Sequence, residues 1–241
     1  MAASPLPPAQ YRFPDPIQAD PLGEGLIATG GDLAPATIWQ AYQQGLFPWF
    51  NADDPICWWS PEPRCVIYPD QFKPSKSLIR QIKKNQYHIT LSHAFEQVIH
   101  ACADTRAYAE GTWINPDIIA GYTGLYEVGL AHSIEVWQQD TLVGGLYGVQ
   151  LGAGFFGESM FSRQTDVSKM AFYFLMKLCA ASGMLWVDCQ LPNDHLMSLG
   201  ATTLPRATFL AQLQRVTAAP APDWEEIQHR RYAVVELLDD A

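Results

Sequence analysis

The run Trp58-Trp59-Ser60-Pro61-Glu62-Pro63 is the strongest single constraint on how this chain can fold. Proline has a fixed φ and no backbone N–H, so two prolines within three residues forbid a continuing helix or a central strand. The run predicts a domain junction, with a small N-terminal domain over residues 1–63 and a larger domain over 64–241. Ahead of the junction the chain is rich in Pro, Gly and Trp and shows one helix, 35–44. Pro35 suits its first turn and Gly45 the residue just past its end.

Beyond the junction the pattern alternates. A strand at 64–68 leads to a helix at 75–84, a strand at 87–91 and a helix near 94–103. Asn115-Pro116 and Gly129 bracket a helix over 116–128. Three strand-like stretches follow at 132–138, 142–149 and 153–158. A helix from about 167 to 181, capped by Asp166 and closed by Gly183, precedes a strand at 185–190 and helices near 193–199 and 206–216. This order predicts a mixed α/β layer fold. Ala218–Asp223 reads as a flexible link to a C-terminal segment, and residues 218–241 form a tail without an assigned role.

Composition removes several classes. A charged fraction of 17% beside 48% hydrophobic residues is the reverse of a disordered chain and is enough for a real core. There is no glycine period, long heptad run or membrane-length apolar stretch. The start, MAASPLPPAQ, lacks the basic and apolar regions of a secretory signal. Cys57, Cys65, Cys102, Cys179 and Cys189 make no Cys-x-x-Cys pair, so neither a disulfide framework nor a zinc ribbon is supported, and a reducing cytoplasm is the simplest home. No metal ligand set stands out.

Four stretches can carry chemistry. The window 73–84 holds five cations and no acid. At ~100° per residue, Lys76, Arg80, Lys83 and Lys84 share one arc and Leu78, Ile79 and Ile82 another. This is either a solvated helix face or a phosphate-contacting patch, and its acidic background favours the patch. In Val187-Asp188-Cys189-Gln190, strand alternation puts Asp188 and Gln190 on one face and Cys189 on the other. A carboxylate and an amide side by side at a strand end can hold an amine. A cysteine nucleophile paired with His195, His132 or His93 fits this alternation poorly, and a metal site from Asp188, Asp194 and His195 fits worse. Glu158 stands among aromatics and Met160, so burial would raise its pKa unless a donor or cation, structural or substrate, faces it. Trp113, in Glu110-Gly111-Thr112-Trp113-Ile114, joins Trp49 as a stacking surface for a flat ligand, although interface packing is the commoner use of such residues.

Read together, these runs resemble the leucyl/phenylalanyl-tRNA–protein transferase family. The matching stretches are Gly30-Gly-Asp-Leu33, Gly45-Leu-Phe-Pro-Trp-Phe50, Trp58-Trp-Ser-Pro61, Glu110-Gly-Thr-Trp-Ile114, Ala131-His-Ser-Ile-Glu-Val-Trp137, Leu142-Val-Gly-Gly145, Gly157-Glu-Ser-Met-Phe-Ser-Arg163, and Asp188-Cys-Gln190 with Asn193-Asp-His195. The resemblance implies a small N-terminal domain followed by a GNAT-type acyltransferase domain. It implies transfer of Leu or Phe, with Met a further donor, from aminoacyl-tRNA to a protein N-terminus bearing Arg or Lys, which marks the acceptor for degradation by the N-degron route. It also places an apolar side-chain pocket on Leu146, Phe155, Met160, Phe172, Leu175 and Val187.

Such a reaction needs no cofactor, because an aminoacyl ester is already activated. It needs a neutral amine held against the carbonyl, and an α-amino group titrates near ~7.7–8.0. The expected roles follow from that need. Gln190, polarised by Asp188, takes up the amine, and either Asp188 or the tRNA ribose ends with the proton. Glu158 holds the cationic acceptor end. Trp49 and Trp113 wall the terminal adenosine and acyl group, and Lys76, Arg80, Lys83 and Lys84 meet acceptor-stem phosphates.

Two other classes compete. An acetyl-CoA-dependent acetyltransferase would want a glycine-bearing phosphate loop before the long helix, where this chain has Ser162-Arg-Gln-Thr-Asp-Val-Ser168. A non-catalytic RNA-binding or N-terminus-recognising module would not require Asp188 and Gln190. The net charge of -10 argues against a general nucleic-acid coat such as a DNA-binding protein needs, but the average hides a division. Residues 71–110 carry six cations and three anions, while the flanking segments are acidic. That division suits two partners of opposite charge.

Overall fold

In the computed structural model, which describes residues 6–107 and 112–238, the N-terminal region holds helix α1 (Pro16–Ala19), strand β1 (Leu26–Thr29), helix α2 (Pro35–Gln43), and strands β2 (Phe47–Pro48) and β3 (Cys57–Trp59). After it come β4 (Arg64–Ile67), α3 (Lys76–Ile82), β5 (His88–Leu91), α4 (Phe95–Ala107) and α5 (Pro116–Glu127). A meander of β6 (Ala131–Gln138), β7 (Thr141–Leu151) and β8 (Gly154–Ser162) leads into α6 (Val167–Ala181) and β9 (Trp186–Gln190). The chain ends in α7 (Asp194–Ser198), β10 (Thr202–Leu204), α8 (Arg206–Ala218), α9 (Trp224–Gln228), β11 (Tyr232–Ala233) and a 3-10 turn over Val234–Leu238.

The expected mixed α/β architecture is what these elements build. Among the described residues the main sheet has eight strands in the order β10-β4-β9-β8-β7-β6-β5-β11, and its only parallel pair is β8 with β9. The N-terminal region forms its own three-stranded sheet, β1-β3-β2, which the sequence did not announce. Strands of two to four residues are too short for a period of two to show above the local Pro and Trp content.

Helix α2 forms where Pro35 supplies the first turn, and it buries Thr37, Ile38, Ala41 and Tyr42 as one stripe. Gly121 lets α5 lie directly on that stripe, because a Cβ there would come within 2.5 Å of Ile38 Cδ1 and 2.6 Å of the Leu33 carbonyl oxygen. Burying a side chain such as Ile38 stabilises the packing by about 2 kcal/mol. The same approach sets Tyr42 against Tyr122. Two buried arginines tie the N-terminal region to the rest. Arg206 of α8 bonds the Asp20 carboxylate at 2.8 Å and the Ser60 carbonyl at 2.9 Å, and Arg64 of β4 bonds the Gly45 carbonyl at 3.0 Å.

Two local expectations change. Asp166 does precede α6, but its φ is 67° and its carboxylate pairs with Lys169 at 2.7 Å instead of capping the helix. The tail has a structural place as well. Trp224 is buried and stacks on the His132 ring at 4.3 Å, β11 pairs with β5 at the edge of the main sheet, and Val234 and Leu237 join the core. Covering an edge strand satisfies backbone groups that would otherwise be open to pairing with another chain.

Candidate active site

The parallel pairing of β8 with β9 runs through Gly154–Trp186 and Phe155–Val187 to Phe156–Asp188, and goes no further. Each strand bulges where it leaves the other. On β8, Tyr147 faces Ser159 and Gly148 faces Gly157, so Glu158 has no partner across β7. On β9, Cys65 faces Gln190 and Val66 faces Asp188, so Cys189 is the extra residue. Bulges re-aim side chains, and these two face one another across the gap. A cavity of about 410 Å³ occupies that gap, with Gly157, Glu158 and Ser159 on one side and Cys189, Gln190 and Leu191 on the other.

Glu158 accepts from the Tyr42 hydroxyl at 2.6 Å and the Gln190 amide at 3.2 Å through one oxygen, and from the Tyr122 hydroxyl at 3.0 Å through the other. The two tyrosine hydroxyls are themselves 2.6 Å apart. Burial pushes the Glu158 carboxyl up to about 7, although both tyrosine bonds act in the opposite direction. Among the described residues no Lys or Arg lies within ion-pair distance of it. The donor expected for Glu158 is thus a tyrosine pair plus an amide, and among the described residues the carboxylate makes no ion pair.

Asp188 sits elsewhere than the alternation indicated. It is fully buried and does not line the cavity. Its two oxygens take Arg64 Nε at 2.8 Å and Nη2 at 2.6 Å. It reaches Gln190 through the backbone, accepting from the Gln190 N–H at 3.0 Å. The reason is conformational: Gln190 has φ of 55°, so the strand's period of two fails at its last residue. Gln190 therefore lines the cavity together with Cys189, and Asp188 turns away. Cys189 is no better a nucleophile for its position, since burial raises its thiol well above the ordinary range. With Asp188 held by Arg64, the trio Asp188, Asp194 and His195 does not come together as a metal site.

The apolar wall is partly as expected. Leu146, Met160, Phe172 and Leu175 line the cavity, joined by Phe47 and Leu196. Phe155 and Val187 do not. Both are fully buried in the core behind that wall, because they lie within the paired part of β8 and β9, before the strands separate. Trp49 and Trp113 line the cavity as well. Trp49 is 43% exposed and meets Trp59 edge-on at 5.8 Å. Glu110 and Gly111, ahead of Trp113, lie outside the described residues.

Helix α3 is shorter than expected and is capped by the Ser75 hydroxyl, which accepts from the Leu78 N–H at 3.1 Å. It buries Leu78 and Ile82 and packs toward α6, which carries Phe172 and Leu175. Lys76, Arg80, Lys83 and Lys84 are all exposed, and among the described residues none of the four makes an ion pair. Sequence reasoning missed Tyr42, Tyr122 and Arg64. The tyrosines are 80 residues apart and carry no local signal, whereas an arginine opening the apolar run Arg64-Cys-Val-Ile67 was a visible anomaly.

Comparisons with known proteins agree in both halves of the chain. Residues 66–214 match a family model described as leucyl/phenylalanyl-tRNA protein transferase, and residues 31–62 match the model of that family's N-terminal domain. A Psychrobacter arcticus relative named leucyl/phenylalanyl-tRNA–protein transferase is 51% identical over 230 residues, covering 93% of this chain and 86% of its own. Relatives of the same name from Cellvibrio japonicus and Chromobacterium violaceum are 48% and 46% identical, covering 92% and 91% of this chain and 96% and 94% of theirs.

Proposed function

The chain belongs to the leucyl/phenylalanyl-tRNA–protein transferase family, and on that premise we propose how its cavity carries an aminoacyl group from tRNA to a protein N-terminus. The transferred side chain, Leu or Phe with Met as a further donor, lies against Leu146, Met160, Phe172 and Leu175. Trp49 and Trp113 flank the terminal adenosine, where an indole offers a stacking face to any base. The exposed cations of α3 meet the phosphates of the acceptor stem.

The acceptor amine lies beside the bonded pair of Glu158 and Gln190. Because the Gln190 amide nitrogen donates to Glu158, its side-chain oxygen is left to accept from the amine. The nitrogen lone pair attacks the ester carbonyl carbon, the C–N bond forms, and the bond to the ribose oxygen breaks. One proton leaves the nitrogen and the ribose oxygen gains one. Glu158 is suited to carry it, because its carboxyl titrates near the amine's own pKa. Asp188 is not, since Arg64 occupies both its oxygens. Most of the acceleration comes from holding amine and ester in attack geometry.

Acceptors begin with Arg or Lys in this reading, and the supporting observation is the Glu158 carboxylate, which lines the cavity and makes no ion pair among the described residues. A reaction drawing on charged tRNA takes place in the cytoplasm. The test incubates the protein with Leu- or Phe-charged tRNA and two peptides, one beginning with Arg and one with Ala, with and without ribonuclease. Transfer to the Arg peptide alone, abolished by ribonuclease, is expected. Equal transfer to the Ala peptide would remove the acceptor assignment, and ribonuclease-resistant transfer would remove the tRNA.

A further inference from the structure

Arg64 opens β4 and is fully buried, and without lining the cavity it contacts the lining residue Phe47 and, behind Gln190, Asp188. Its guanidinium makes three bonds in one plane: two to Asp188 and one from Nη1 to the Gly45 carbonyl oxygen at 3.0 Å. Its faces are covered by the Phe47 and Phe209 rings, with centroids 5.0 and 4.5 Å from the guanidinium carbon. A planar fork fits this slot and an ammonium does not.

The two ends of this arrangement lead to two separate segments of the cavity lining. Gly45 has φ of 78° and turns the chain into Phe47-Pro48-Trp49, one segment of the lining. Asp188 holds the Gln190 N–H at the left-handed residue that turns Gln190, in the other segment, toward Glu158. A left-handed backbone is uncommon for a residue other than glycine, so it needs an outside partner to hold it. A buried ion pair is a poor source of stability compared with apolar packing of the same shape, which points to geometry as what this one supplies.

We propose that Arg64 is a positioning residue for aminoacyl transfer, fixing through Asp188 and Gly45 the placement of Gln190 relative to the Phe47–Trp49 segment of the cavity lining. The inference rests on the transferase reading above and adds a residue to it. The charges matter beyond the geometry. Glu158 is bonded by Tyr42 from α2, Tyr122 from α5 and Gln190 from β9, Asp188 and Arg64 act on it through space from behind Gln190, and His195 from α7 lines the same cavity. Asp188 pushes the Glu158 carboxyl up and Arg64 draws it down, so the intact pair keeps the two influences opposed.

The experiment compares the parent with Arg64→Lys, Arg64→Met, Asp188→Asn and the double variant Arg64→Met/Asp188→Leu, using charged tRNA and the Arg peptide. The double variant replaces the ion pair with apolar groups, so it is expected to fold even where Arg64→Met does not. Expected are a kcat about 10-fold lower in Arg64→Lys and at least 30-fold lower in the double variant, with KM for aminoacyl-tRNA within threefold of the parent in both. The acidic limb of the pH profile is expected to move up in Arg64→Met and down in Asp188→Asn, opposite shifts that a purely structural role would not produce. A kcat within threefold of the parent in Arg64→Lys or the double variant, whichever folds, would overturn the positioning role. A parent that transfers neither Leu nor Phe would overturn the functional reading itself, and the role of Arg64 with it.

Discussion

The Tyr42 hydroxyl donates to Glu158 at 2.6 Å across 116 residues of sequence, joining the N-terminal region to the bulge of β8. A hydrogen bond to the ionised form of a carboxyl lowers its pKa, so this contact keeps Glu158 from rising further under its burial. Removing the hydroxyl by Tyr42→Phe should shift the acidic limb of the kcat/KM profile up by about one pH unit, giving roughly a 10-fold loss at pH 6 and little loss at pH 9. The acceptor amine titrates identically for parent and variant, so the displacement between the two profiles is the readout. Superimposed profiles would remove Glu158 from the proton path.

Glu158 also links activity to stability. Its carboxyl titrates at about 7 in the folded chain against 4.5 when unperturbed, so the folded state retains a proton that the unfolded state gives up between those values. Stability therefore falls as pH rises from about 4.5 to about 7, and the cost is complete above that range. Glu158→Gln should be more stable than the parent by about 1–3 kcal/mol at pH 8, with the difference gone near pH 4. Thermal melts at the two pH values check the sign, and slower transfer should accompany the gain.

Met160 and Phe155 separate the cavity wall from the core behind it. Met160→Ala should widen the cavity and shift the Phe:Leu ratio of kcat/KM toward Phe by roughly 10-fold, with a small change in Tm. Phe155→Ala should instead cost about 3–5 kcal/mol of stability, as fully buried aromatics do. If Phe155→Ala altered selectivity with stability intact, Phe155 would belong to the wall.

Helix α3 makes a claim about salt. Replacing Lys76, Arg80, Lys83 and Lys84 by Gln leaves the buried Leu78 and Ile82 in place, so folding should be retained. Each lost phosphate contact flattens the log–log salt dependence of tRNA affinity by about 0.9. The quadruple variant should lose up to about 3.6 of that slope. An unaltered slope would make the helix an ordinary solvated face.

Trp224 tests the C-terminal segment. Its ring stacks on His132 and lies 5.9 Å from Phe155, so Trp224→Ala should open a cavity beside the core and cost about 3 kcal/mol. Denaturant unfolding measures this directly. A loss below about 1 kcal/mol would mean that the segment merely rests on the sheet.

The sequence by itself determined the elements whose signals are local. The cap and stop residues around 35–44 and 116–128, the apolar period of 167–181 and the opposed faces of 75–84 all needed only neighbours within a turn or two. Each matches an observed helix to within a few residues. The family's motifs were legible for the same reason, being short runs of adjacent residues. Only tertiary structure could decide the site. Which way Gln190 points depends on a left-handed φ that Asp188 and Arg64 hold in place. What faces Glu158 depends on two tyrosines brought together by the close approach of α2 and α5 at Gly121. The strand alternation that placed Asp188 beside Gln190 assumed a regular ladder, and the bulges at Glu158 and Cys189 break it where β8 and β9 part. A bulge reflects how two distant strands pair, so one strand's own residues do not encode which way its last side chain will face.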